Sequence, residues 1–389
     1  MIKIPEKQQY VIDTLNRQGF KAYIVGGCVR DALLEVEPHD YDVTTNALPQ
    51  DVQRIFKKTV PTGIKHGTIT VVVDKEPIEV TTFRTEGGYT DSRHPDSTEF
   101  VSDIDSDLAR RDFTVNAMAY NNTDGLIDLY DGKRDLENKV LRAVGVASER
   151  FSEDALRILR LFRFASQLDF SIEEETLESA IIMQNGLLKI SRERIFAELW
   201  KAVAGKNPKA LAPVIRSGGL EFLGFKNLPD FEIIKRCNGS EKRAFFAFLY
   251  LSTENIPETL DGLKVSNALK DYCKVMQDLV GMKFPENKTD IKEMLNVSDT
   301  ELFYDYLTFM QALGKDTSGI KAETDRLLEE KEPYRISHLA INGGDLTKMG
   351  YSGADVGKIL EILRRYVTEN PEKNTCQDLV ERVKTVNNK

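Results

Sequence analysis

The chain has 389 residues, 41% apolar and 30% charged, enough apolar material for cores in more than one domain and too much for a wholly disordered polypeptide. Its 53 Lys and Arg against 62 Asp and Glu give a net charge of −9, which argues against unselective coating of nucleic acid but leaves room for a local basic surface. No run of about 18 apolar residues occurs, so no membrane span is expected, and the opening MIKIPEKQQY lacks the apolar stretch of a secretory signal. Cys28, Cys237, Cys273 and Cys376 lie far apart with no CxxC pair, which fits reduced thiols in a cytoplasmic protein.

In chain order, short β-rich runs at 21–25, 68–73, 78–83, 113–120 and 126–129 predict strands, and Asp74-Lys75-Glu76-Pro77 predicts a hairpin turn between the second and third. Helices are predicted around 28–35 and 49–57. Beyond about residue 140 the β signal fades, and apolar spacing predicts helices over 152–167, 173–185, 192–204, 240–253 and 354–367. Polar, Pro-containing stretches at 204–210, 284–290 and 329–335 read as joints. The expectation is an α/β head over 1–139 followed by all-helical segments at 140–204, 205–325 and 326–389. Trp200, Phe222, Phe231, Phe245, Phe246 and Phe248 read as core, and His39, His66, His94 and His338 have no metal-ligand spacing.

The chemistry concentrates in the head. Gly26-Gly27 joins the first strand to a helix, where backbone N–H groups can approach an anion; Arg30 would add a full charge, although a plain tight turn has the same sequence. Asp40 and Asp42, two apart, share one side of an extended strand and would aim two carboxylates at one point. Hard oxygen donors so placed suit Mg²⁺, which binds one or two carboxylates plus substrate phosphates; two exposed Asp at a strand end is the plain alternative. Glu79, on the strand 78–83, supplies a third carboxylate if that strand lies beside the one bearing Asp40. Arg110-Arg111 can hold phosphates bidentately or simply pair with Asp107 or Asp112.

Taken together, GGCVRDALLEVEPHDYDVTT, RRDFTVNAMA, DLYDG at 128–132 and EDALR at 153–157 resemble the bacterial class II tRNA nucleotidyltransferases, the CCA-adding enzymes within the polymerase β-like nucleotidyltransferases. INGGDL at 341–346 is similar to the tail of that family, while Glu35 stands where the family usually has Gly. The resemblance implies a seahorse-like, elongated molecule with head, neck, body and tail. It implies that Asp40 and Asp42 bind Mg²⁺ with Glu79 as the third catalytic acid, and that Gly27, Arg30 and Arg111 hold the triphosphate. The RNA 3′-hydroxyl would attack the α-phosphate and pyrophosphate would leave.

In the neck, Ser152 is a natural N-cap for a helix beginning at Glu153, on which Arg157, Arg160 and Arg163 form a ridge opposite Ala155, Ile158, Leu159 and Phe162. Such a ridge is either a solvated charged face, with pairs such as Glu153–Arg157, or the wall of a cleft. The resemblance assigns Asp154 and Arg157 to nucleotide choice. Cytosine and adenine both place an amino donor beside a ring-nitrogen acceptor, which an Asp–Arg pair complements; uracil and guanine reverse both groups. Arg160 and Arg163 would help place the nucleotide. The polar loop 84–97 is associated in that family with the switch from C to A addition. The expected substrates are tRNA, CTP and ATP, with no membrane association, and protein partners are left open. A poly(A) polymerase, a CC-adding enzyme, or an inactive head serving as an RNA-binding module are the alternatives.

Overall fold

The computed structural model of the chain describes residues 2–87 and 97–386. It divides into two compact units, Met1–Phe231 with Leu249–Val265, and Glu232–Phe248 with Ser266–Lys389. The first unit opens with α1 (Glu6–Arg17), which buries Val11, Ile12 and Leu15 along one face. There follow β1 (Ala22–Val25), α2 (Gly27–Leu33), β2 (Val43–Thr45), α3 (Pro49–Ile55), β3 (Thr59–Gly63), β4 (Thr68–Val73) and β5 (Glu76–Thr82). A two-stranded ribbon of β6 (Arg84–Gly87) and β7 (Ser97–Phe100), then α4 (Ile104–Ala109), precede β8 (Met118–Asn121), β9 (Gly125–Asp128) and α5 (Gly132–Glu137).

Seven of these strands form one sheet in the order β3-β4-β5-β2-β1-β8-β9, and only β2 and β5 pair in parallel. Central β1 is buried at all four positions, as a strand covered on both faces must be. Tyr23 and Val25, on one of its faces, share a core with Phe83, Ile104, Leu108 and Ala119, so α4 closes that side.

Several expectations shift. The turn between β4 and β5 is only Asp74-Lys75, both at positive φ (49° and 71°), because Val73 already pairs with Glu76; the primed twist of such a turn matches the strands it joins. The strand expected over 113–120 begins only at Met118, since Thr114–Asn116 is a 3₁₀ turn. Its polar side chains are fastened elsewhere: Thr114 Oγ1 donates to Asp135 at 2.8 Å and Asn116 Nδ2 to Asp112 at 3.2 Å. The expected loop 84–97 has a paired stem, β6 with β7, while residues 88–96 lie outside the described residues, His94 among them.

The first unit continues with β10 (Val140–Leu141), α6 (Ala147–Glu153), α7 (Leu156–Leu168), β11 (Ser171–Ile172), α8 (Glu174–Ile182) and α9 (Arg192–Val203), with β10 and β11 paired in parallel. The helix expected over 152–167 is interrupted. Ser152 lies inside the last turn of α6 and caps nothing; Asp154 stands between the two helices, its Oδ1 accepting from the Leu156 N–H that opens α7 at 3.0 Å. The second unit is helical, with Ile341, Leu346, Leu363, Val367, Leu379 and Val383 in one core.

Phe231, Phe245, Phe246 and Phe248 are buried as expected. Trp200 and Phe222 are not core but half-buried: Trp200 packs on the Phe196 ring 5.5 Å away, and the Arg192 guanidinium lies 4.5 Å over Phe222. All four cysteines are free thiols, with only Cys376 exposed. Among the described residues no helix is long and apolar enough to cross a membrane.

Candidate active site

The sheet brings the acidic residues to one end. β1 runs antiparallel to β2 and β2 runs parallel to β5, with Val43 opposite Val80, so Asp42 stands one step before that pair beside Glu79. Asp40 and Asp42 therefore lie in the extended segment ahead of β2 rather than within a strand; the Asp42 carbonyl accepts from the Val25 N–H at 3.1 Å. Continuing the ladder would set two like charges opposite each other, which a sheet disfavours. Beside them lies a cleft of about 630 Å³ lined by Asp40, Asp42 and Glu79, together with Gln8, His39 and Thr70. Protein packed around Asp42, then the charges of Glu79 and Asp40, push its carboxyl above the usual Asp value, against the pull of Arg111. Among the described residues no three His, Cys, Asp or Glu side chains close into a ready-made metal cage. The donor set is thus an open pair with a third carboxylate on the next strand, which fits a hard divalent cation completing its shell with phosphate oxygens and water.

The glycine turn adjoins this cluster. Gly26 has φ 78° and ψ −128°, a conformation that L side chains avoid, and a Cβ there would stand 2.9 Å from Arg111 Nη1. Both arginines of the pair also make the bland contacts: Arg110 meets Asp107 at 2.7 Å and Arg111 at 3.2 Å. Burial pushes the Asp107 carboxyl up, but the two guanidinium groups outweigh it and hold the carboxyl below the ordinary range. Arg111 Nε remains buried with no partner among the described residues.

Arg30 donates to Asn116 Oδ1 at 2.7 Å and pairs with Asp31 at 2.7 Å. Its guanidinium lies 5.3 Å from the centre of the Phe164 ring, where Arg160 (5.3 Å) and Arg163 (4.0 Å) also converge. Arginines from α2 and α7 thus meet around one aromatic ring, contacts that let like charges gather there. Arg160 is fixed by Asp112 Oδ2 (2.8 Å to Nε) and Arg163 by Glu198 (2.7 Å).

The pair expected to choose the nucleotide is engaged otherwise. Asp154 pairs with Arg194 at 2.9 Å, and Arg157 pairs with Glu153 at 2.5 Å while donating to the carbonyls of Arg150 and Arg110 at 3.1 and 2.9 Å. Arg157 and Arg163 are each only 9% exposed, so the ridge read from helical spacing is largely internal. Sequence reasoning picked out the run 194–199 only as a mark of the CCA-adding side of the family; it gave no positioning role to Asn116, Phe164 or Glu198, which hold Arg30, Arg160 and Arg163, or to Arg194, which holds Asp154. Only Asp112 and Glu153 carried a signal, as possible ion-pair partners in the same local stretch.

A family described as "Poly A polymerase head domain" matches residues 22–142, and one described as "Probable RNA and SrmB- binding site of polymerase A" matches residues 169–220. The CCA-adding enzyme of Enterococcus faecalis is 38% identical over 95% of this chain and 93% of its own length. The chain belongs to the CCA-adding enzyme family. A second member, from Lactobacillus gasseri, is 40% identical over 94% of this chain and 93% of its own. The crystal structure of the Bacillus stearothermophilus CCA-adding enzyme in complex with CTP is 29% identical, superposes with a TM-score of 0.82 and covers 99% of each chain.

Proposed function

We propose that this CCA-adding enzyme family member completes the 3′ end of tRNA by adding C, C and A from CTP and ATP without a nucleic-acid template, releasing pyrophosphate, and that it does so in the cytoplasm. The observation that carries the reading is the meeting of a carboxylate cluster and an arginine-backed glycine turn at one sheet end of a chain from this family. Asp40 and Asp42 are assigned as ligands of the metal on which transfer depends, Mg²⁺ by donor chemistry, with Glu79 as the third catalytic acid. A bound ion supplies Lewis acidity, lowering the pKa of the attacking hydroxyl and neutralising phosphate charge.

Gly27, Arg30 and Arg111 are assigned to the triphosphate; the unpartnered Arg111 Nε is a donor in place for an anion. Arg160 and Arg163 wall the nucleotide. Asp154 and Arg157 are assigned to base choice, and Arg157 reaches a base only after giving up its bond to Glu153. Residues 1–139 are assigned to transfer, 140–204 to nucleotide selection, and 205–325 and 326–389 to holding the tRNA.

The test is a tRNA lacking its 3′ CCA, supplied with CTP, ATP or both. C, C and A are expected in that order when both are present. Long A tails with ATP alone would make the chain a poly(A) polymerase, and arrest at CC with ATP present would make it a CC-adding enzyme. Asp154→Ala is expected to retain metal-dependent transfer while losing nucleotide choice; wild-type CTP and ATP preference in that variant would remove the selection role.

A further inference from the structure

One side chain of the cleft wall has no role in the account above. Gln8, from α1, is 6% exposed and lines the same cleft as Asp40, Asp42, Thr70 and Glu79. Its Oε1 is buried with no hydrogen-bond partner among the described residues. Buried amides are ordinarily satisfied, and packing alone gives no reason to place an unsatisfied one beside a carboxylate cluster.

Strand order supplies a direction. Gly26 and the Arg111 guanidinium stand at the end of β1, Asp42 enters β2 next to it, and Glu79 and its register partner Thr70 stand beyond, on β5 and β4. In an in-line displacement the attacking oxygen and the leaving pyrophosphate occupy opposite sides of the α-phosphate. With the triphosphate anchored at the glycine turn, the RNA end arrives from the β4–β5 side, into the cleft that Gln8 lines together with Thr70 and Glu79. Among the described residues the cleft lining holds no Lys or Arg, and Glu76 in it pairs with Lys7, so this side suits a neutral, hydroxyl-bearing group more than a phosphate. An amide presents both donor and acceptor, as a hydroxyl does.

We propose that Gln8 binds the 2′-hydroxyl of the terminal ribose of the incoming RNA strand and so sets that strand's 3′-oxygen against the carboxylate cluster. This rests on the nucleotidyl-transfer reading above. It also gives the protein a means of preferring RNA over DNA ends, because the 2′-hydroxyl is the group that separates them.

The experiment compares two tRNA primers lacking CCA, one ending in a ribose and one in a 2′-deoxyribose, with wild type and Gln8→Met. Wild type is expected to extend the ribose primer about tenfold better in kcat/KM. Gln8→Met, near in volume, is expected to extend both at the wild-type deoxyribose level, with the KM for CTP unchanged and the Tm equal or higher because an unsatisfied group is gone. Gln8→Asn, one methylene shorter, is expected to lose the preference too, and serves if the Met variant does not fold. The proposal is overturned if wild type shows no ribose preference, if the variants keep it, or if they depress both primers alike. A wild type that extends neither primer removes the transfer reading, and this proposal with it; transfer with the wrong primer pattern removes only the role of Gln8.

Discussion

Glu35 closes α2 in the left-handed region, at φ 58°. Its N–H donates to Ala32 O at 3.3 Å and the Val36 N–H donates to Asp31 O at 2.9 Å, the two bonds of a Schellman end, whose left-handed position favours Gly. A side chain with a Cβ is strained there by about 1 kcal/mol, partly offset by the greater unfolded-state entropy of Gly. Glu35→Gly is therefore expected to raise stability by about 0.5 kcal/mol in urea unfolding. Asp42 is the other residue whose surroundings fix a sign. A carboxyl whose folded pKa lies above its unfolded value loses stability as pH rises from the unfolded pKa through the folded one, so at neutral pH ionised Asp42 burdens the metal-free fold. Asp42→Asn is expected to raise the Tm of metal-free protein at pH 7 while cutting transfer by roughly a hundredfold or more. A lower Tm with transfer intact would contradict both halves.

Among the elements, α7 shows where helical spacing stops being informative. Its apolar positions were legible in the sequence, but its arginines meet Asp112 from the head and Glu198 from α9, partners some 35 to 50 residues away that no local pattern exposes. Asp112 is buried; burial pushes its carboxyl up, yet the charge and hydrogen bonds of Arg160 outweigh this and bring it to about 2. A folded pKa below the unfolded one stabilises the fold above the ordinary Asp value and ceases to do so as pH falls toward about 2. Arg160→Ala strands that carboxylate, and a loss of about 3 kcal/mol is expected by chemical denaturation, recovered in part by adding Asp112→Asn. No recovery in the double variant would mean that Arg160 acts on stability through packing alone.

The whole molecule carries a net charge of −9, and its lysines and arginines are scattered rather than gathered in one dense run. Association with tRNA through such dispersed contacts depends on releasing counterions from a few phosphates. Its affinity in filter binding is expected to fall by about a hundredfold between 50 and 200 mM salt, the response of roughly four phosphate contacts. A flat response would indicate recognition by shape and base edges instead.

The sequence by itself determined that an α/β head precedes helical segments and brought forward the acidic and arginine candidates, because these are local: alternation, helical spacing, and residue types at short separations; the anomaly at Glu35 came from the family resemblance. It carried no account of where Asp40 and Asp42 sit relative to the ladder, since that follows from the parallel pairing of β2 with a strand more than 30 residues away. Nor did it show that Arg30, Arg160 and Arg163 share the Phe164 ring, or that Gln8 Oε1 on the cleft wall has no partner among the described residues. Only tertiary structure decided those points, because burial and ion pairing depend on distances through space that chain separation does not encode.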